Sequence, residues 1–279
     1  MIELLSYDFM RRALVVALLT GLMAPSIGTY VVQRRLSLLG DGLGHIAIAG
    51  VGLALLTQTS PLPVAIVVAV LGAVLVELLR QRGRASGDVG LAILFYGGLA
   101  AGVLMAGITG AGAGALSQYL FGSLTSLTDG DVVVVAVLTA VVLVPAVGLS
   151  PQLFAVCADE DHARVLGLPV RTLNFLVVVL AALAVTVSMR TVGLLLVSAL
   201  MVVPVAASQG IVRGFRAGLL AAMGIGALVA VSGAVGSFYA DVAPGSLIVL
   251  VAIAVFIAVW PLASVLERRR RRVVDVGSA

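Results

Sequence analysis

Apolar residues run through this chain in long blocks, separated by short polar or glycine-rich joints. About nine blocks approach the ~20 mostly apolar residues that a membrane-crossing helix needs. They are 9–32, 36–57, 62–80, 89–108, 131–150, 172–189, 191–210, 216–238 and 245–265. The joints are short except for two, 109–130 and 151–170. Neither a linker nor a clear repeat interrupts the pattern, so residues 1–279 read as a single integral membrane domain. The predicted fold is all-α and polytopic, with eight or nine crossings. The lower number holds if 191–210, which contains Gly193 and Pro204, is broken or re-entrant. Non-crossing backbone is tolerated at membrane depth where protein or a cavity covers it. The first apolar run is too long for a signal-peptide core, and no small-residue cleavage site follows a short one.

Composition agrees with the pattern. Hydrophobic residues make up 61% and charged residues 11% of the chain, and no soluble domain of this length needs so much apolar surface. All 17 basic residues are Arg. The absence of Lys excludes a phosphate-binding P-loop and Schiff-base chemistry, both of which need a Lys amine. If ATP is used, another chain must bind it. The net charge of +4 does not indicate nucleic acid, because the Arg residues sit in small clusters between apolar runs. Arg34 and Arg35; Arg80, Arg82 and Arg84; Arg164 and Arg171; Arg213 and Arg216; and the tail Arg268–Arg272 all fall on one side if nine segments cross. The positive-inside rule makes that side the cytoplasm, with the N-terminus outside and the C-terminal tail 267–279 inside. Arg11, Arg12 and Arg190 are exceptions to this arrangement.

Against this background a few polar positions stand out. In the stretch GDGLGH (40–45), Asp41 and His45 are spaced to share one helix face, about 5–6 Å apart at Cβ. An ionisable group at membrane depth costs about 2.5–3.5 kcal/mol on insertion scales. A carboxylate and a neutral imidazole are good ligands for a divalent transition metal. Alternatively, Asp41 caps a helix start and His45 bonds a backbone carbonyl. Both readings stand at this point. Two ligands do not make a tight site, which suits a site of passage.

The densest polar stretch between spans is 157–171, and the Arg pattern places it in the cytoplasm. Asp159 reads as an N-cap, followed by a short helix that Gly167 and Pro169 end. Such a segment is either a solvated loop or a docking helix for a soluble partner. His162 and Cys157 are expected to have a surface role rather than to form a second metal site. The lone cysteine excludes an internal disulfide. The semi-polar stretch 117–131 is expected to pack onto the bundle, and Glu77 to pair with Arg80 three residues on. Met105 and Met201 read as packing residues.

Together these blocks resemble the ABC-3 family, the permease subunits of ABC importers for zinc, manganese and iron. RRLSLLGDGLGHIAIAGV (34–51) resembles that family's Gly-Asp-Ala-Leu-Ser-His signature. QYLFGSLTSLT (118–128) is similar to its Tyr-Leu-Phe-Gly-Ser block, and DEDHARVLGL (159–168) to its coupling segment. VGLLLVSALMVVPVAAS (192–208) and SFYADVAPGS (237–246) resemble two further blocks, in the family's order. Departures are Gly42-Leu43-Gly44 for Ala-Leu-Ser, Ala49 for Pro, Ala243-Pro244-Gly245 for Pro-Ser-Gly, and Ala158-Asp159-Glu160-Asp161 for Phe-Asp-Pro-Glu.

The resemblance implies an importer of type II architecture, similar to vitamin-B12 and siderophore importers, in a bacterial cell membrane. It implies a homodimer or paired permease with the pathway at its interface, and two separate ATPase subunits. An extracytoplasmic solute-binding protein would deliver the metal. The permease would be a transport subunit, not an enzyme, with no permanently bound cofactor; zinc or manganese, or iron, would be cargo. Asp41 and His45 would line or gate the pathway. Asp159, Glu160, Asp161, Ala163, Arg164 and Gly167 would form the ATPase-coupling segment within 151–170. The alternative function is an ion-coupled secondary metal carrier, which usually needs more buried carboxylates than Asp41, Glu77 and the boundary residue Asp131. An intramembrane zinc protease would need His-Glu-x-x-His, which is absent. An intramembrane serine protease would have to pair Ser198 with His45.

Overall fold

The computed structural model describes residues 7–81, 87–110, 112–122, 127–189 and 193–277. Arg82, Arg84 and Arg190 lie outside the described residues. The described secondary structure is helical throughout: α1 (Asp8–Gln33), α2 (Leu39–Leu56), α3 (Pro61–Gln81), α4 (Gly87–Ile108), α5 (Gly112–Phe121), α6 (Asp129–Gly148), α7 (Ser150–Ala158), α8 (Glu160–Val165), α9 (Val170–Ser188), α10 (Leu194–Ile211), α11 (Phe215–Ala240) and α12 (Pro244–Gly277).

Six of these helices, α1, α2, α3, α6, α9 and α11, are long and apolar enough to cross a membrane. Shorter apolar stretches, Ala92–Ile108, Val197–Ile211 and Pro244–Val259, fall in α4, α10 and α12. The chain is therefore a multi-pass membrane protein. The helices follow the apolar blocks closely, because the backbone in lipid must satisfy its own hydrogen bonds and a helix does so locally. The basic segment after residue 266 continues as part of α12. Arg is a good helix former, so the arginine run extends the helix.

α1 is the central post. It packs against α11, α10, α6 and α9, and its residues from Met23 to Val31 are all buried. α2 is held between α4 and α3 and also touches α9 and α10. Small residues allow the close crossings. A Cβ on Gly28 would lie 2.0 Å from the Met201 carbonyl oxygen, so α1 and α10 meet backbone to backbone there. A Cβ on Gly21 would lie 2.6 Å from the Gly226 oxygen, between α1 and α11. Without a hydrophobic drive between helices in lipid, such close approach supplies the packing energy.

Arg34, Arg80 and Arg164 gather at one end of the bundle, around α8. Arg12 lies with α6 instead: its Nε is 2.7 Å from Asp129 Oδ1, and its Nη1 donates to the Leu127 carbonyl at 3.1 Å. An exception to the arginine pattern is thereby neutralised by a partner. Asp131 forms a capping box with Thr128 at the start of α6. α5 packs onto α4, α10 and α2, in keeping with a semi-polar segment laid on the bundle. Gly193 caps α10 at φ +88°, where a Cβ would strike the backbone of Leu120 and Phe121. Pro204 leaves α10 continuous through to Ile211.

Candidate metal pathway and coupling helix

Asp41 lies in the first turn of α2 and His45 one turn further along. Three glycines thin this part of the helix and let α10 come close. A Cβ on Gly44 would collide with Leu194, and one on Gly40 would sit 3.1 Å from Ser198 Oγ and 3.4 Å from Met201 Sδ. The Ser198 hydroxyl donates to Asp41 Oδ1. α10 therefore presents a hydroxyl and a thioether to the turn that carries the carboxylate.

His45 is 7% exposed, and its ring centroid lies 3.9 Å from that of Phe95 in α4. Its Nδ1 is buried with no hydrogen-bond partner. A buried, unpaired imidazole nitrogen costs free energy unless something else comes to it. Among the described residues no group of three or more His, Cys, Asp or Glu could hold a metal ion. One chain thus offers Asp41, His45 and the sulfur of Met201, a weak and mixed donor set, with the Ser198 hydroxyl already bonded to the carboxylate. The sequence raised Ser198 only as a partner of His45 and Met201 only as a packing residue; it did not place either beside Asp41. Their three-residue spacing puts them on one face of α10, but nothing in an apolar helix says which face meets α2.

At the α8 end, the cap geometry matches the sequence reading. Asp159 Oδ1 accepts from the backbone N–H groups of Asp161 and His162, each at 3.0 Å. The His162 N–H, then that of Asp161, holds the Asp159 carboxyl below the usual carboxylate range. Gly167 ends the helix at φ +75°, with the Leu168 N–H returning to the Ala163 carbonyl at 3.1 Å. The six residues that the family resemblance assigns to coupling do not face one way. Ala163 is fully buried and Glu160 turns into the bundle, whereas Asp161 and Arg164 are exposed and paired with each other at 2.6 Å. Beside them, Val165 is 85% and Leu166 59% exposed, an apolar tip that the sequence reading did not single out. Its sequence signal is two branched apolar residues immediately before a helix-ending glycine.

Cys157 is not the surface residue expected from the sequence: it packs into the buried side of α7, and burial pushes its thiol up to about 11. At neutral pH it is a protonated, unreactive thiol.

Residues 6–262 match the family model described as "ABC 3 transport family". The chain belongs to that family. A "Probable metal transport system membrane protein" of Treponema pallidum is 32% identical over 264 residues, covering 94% of this chain and 98% of that protein. The "Manganese transport system membrane protein MntC" of Halalkalibacterium halodurans is 30% identical, covering 91% of this chain and 87% of that one. Among solved structures, PsaBC from Streptococcus pneumoniae in complex with Fab contains a chain similar to this one, at 26% identity and a TM-score of 0.83, with 92% of each chain covered. In the ABC 3 transport family setting, the α2 turn with Asp41 and the exposed α8 are the parts of this chain with most chemistry to offer.

Proposed function

We propose that this chain is the membrane permease of an ATP-driven importer for a divalent transition metal, zinc or manganese, with iron as a further cargo. The observation that carries the reading is the Asp41–His45 pair on a close-packed turn of α2, with Ser198 on the carboxylate and an unpartnered buried Nδ1 on the imidazole. Two chains side by side would bring two such turns to one pathway. A cation that has shed water would meet oxygen and nitrogen there, held well enough to enter and weakly enough to leave. The chain has no Lys for a P-loop, so two separate ATPase subunits hydrolyse ATP and dock on α8 through Asp161, Arg164, Val165 and Leu166. Eight or nine helices cross, the architecture is type II, and the α8 end and C-terminus are cytoplasmic. An extracytoplasmic binding protein delivers the metal.

The ion-coupled carrier is disfavoured by what the acids of the apolar spans do. Glu77 is saturated by Arg80 and Gln81, and Asp131 is taken up in a capping box, which leaves Asp41 as the acid on the pathway. Ser198 gives its hydroxyl hydrogen to Asp41 and not to His45, against a serine nucleophile.

The test is metal uptake into proteoliposomes holding the permease, its ATPase and its binding protein, with zinc and manganese assayed separately. ATP-dependent uptake of one metal, lost in His45→Ala, is the expected result. Uptake driven by an ion gradient without ATP would overturn the reading.

A further inference from the structure

A helix of six residues has little stability of its own, so α8 is held by what its side chains reach. Its first residue reaches inward. Glu160 Oε1 accepts from Arg80 Nη2 at 3.0 Å and from Asn174 Nδ2 at 3.1 Å, and lies 3.5 Å from Arg34 Nη2. One carboxylate oxygen thus ties α8 to α3, to α9 and to the end of α1. Behind it stands Glu77, 1% exposed, gripped by Arg80 through two bonds of 2.9 Å and by Gln81 through a third. Arg34 is 4% exposed and 3.9 Å from Glu77.

Buried ion pairs are costly to desolvate, and well-packed apolar residues hold a bundle as well or better. A cluster whose only task was stability has no need of four charged side chains. Its position offers another task, because two packed routes run from it to the Asp41 turn. On α3, Glu77 and Arg80 are preceded by Gly72, where a Cβ would sit 2.8 Å from Ile46, the neighbour of His45 on α2. On α1, Arg34 follows Gly28, which abuts the Met201 backbone, and α10 carries Ser198 onto Asp41. The first route is a glycine against a packed side chain and the second is backbone against backbone; contacts this close leave little slack, so a displacement at one end is passed on and not absorbed.

We propose that the Arg34–Glu77–Arg80–Glu160 cluster is the strut that carries a displacement of α8 to the Asp41–His45 turns. Arg34, Glu77 and Arg80 are positioning residues for transport, and Glu160 acts inward on the permease. This inference rests on the reading of the chain as an ATP-driven permease.

The test uses the complete complex in proteoliposomes and measures metal ions imported per ATP hydrolysed. The double variant Arg34→Met, Glu160→Gln cuts the ties from α8 to α1 and weakens those to α3. It removes one charge of each sign and leaves the buried Glu77–Arg80 pair intact, which protects folding. The ATPase subunits still co-purify with it, and imported metal per ATP falls at least tenfold. The conservative variant Arg34→Lys keeps the charge and retains most of the coupling. An unchanged ratio in the double variant overturns the proposal. So does loss of ATPase co-purification, which would make the cluster a structural support only. If the wild-type complex imports no metal with ATP, the permease reading itself fails, and the strut with it.

Discussion

Ser198 and Asp41 are 157 positions apart in the chain, and the Ser198 hydroxyl donates directly to the Asp41 carboxylate. The bond holds the first turn of α2 to α10 in this conformation, and it occupies a lone pair that a cation would need. Metal and hydroxyl therefore compete for one oxygen. A hydrogen bond to a charged group contributes about 1.5–3 kcal/mol. Ser198→Ala should let metal bind tighter, lowering the half-saturating concentration by about tenfold or more, since 1.4 kcal/mol is tenfold. It should also slow maximal uptake, because the hydroxyl no longer helps to displace the metal. Initial uptake rates across metal concentrations check both; an increase in half-saturating concentration would contradict the competition.

His45 is the second donor on that turn, and its Nδ1 has no protein partner. His45→Ala and Asp41→Asn should each reduce uptake by about a hundredfold or more, since losing only an outer-shell partner of a metal ligand already costs about 10–100-fold. Both variants should still assemble, which size-exclusion chromatography of the complex in detergent reports. Normal uptake by His45→Ala would make this histidine a packing partner of Phe95 only.

The exposed tip of α8 is the predicted contact for the ATPase. Val165→Asp changes a residue that is 85% exposed, so the permease fold should shift by no more than about 0.5 kcal/mol. Co-purification of the ATPase subunit should nevertheless be lost. Retention of the full complex would place the contact elsewhere.

The close α1–α10 crossing gives a packing prediction. A Cβ on Gly28 would lie 2.0 Å from a backbone oxygen that cannot move aside cheaply. Gly28→Ala should destabilise the permease by about 1–3 kcal/mol. Gly224, inside α11 with no atom within 4 Å of an added Cβ, supplies the control. Gly224→Ala should be neutral or stabilising by about 0.5–1 kcal/mol, because Gly is the poorer helix former. Thermal unfolding in detergent ranks the two, and equal midpoints would contradict the crossing.

Acid should loosen α8 before it affects the apolar bundle. The Asp159 carboxyl is held low by the His162 and Asp161 N–H groups. Burial alone would raise Glu160, but the hydrogen bond and charge of Arg80, with Asn174 and Arg34, bring it below the ordinary carboxylate value. A carboxyl lowered on folding stabilises above its unfolded pKa, near 4, and loses that contribution as pH falls through the folded value. Amide exchange in α8 should be flat from about pH 7 to about pH 5, after correction for the intrinsic rate, and rise below about pH 4. Protection lost between about pH 7 and about pH 6 would point to a histidine instead.

The sequence determined the parts of this protein that depend on near neighbours. Runs of apolar residues had to become helices, because lipid offers the backbone no hydrogen bonds. Asp159 had to cap α8, and Glu77 to meet Arg80, because each partner lies within one helical turn. Asp41 and His45 were visible for a related reason, as an acid and an imidazole one turn apart in hydrocarbon. The tertiary structure alone decided which faces meet. Ser198 on Asp41, Glu160 turned inward to Arg80 and Arg34, and Gly28 against Met201 all depend on the rotation and depth of one helix against another. A water-soluble helix announces its inner face by hydrophobic periodicity. Helices that are apolar all round carry no such signal, and their registers are set by steric fit at small residues, which only the assembled bundle reveals.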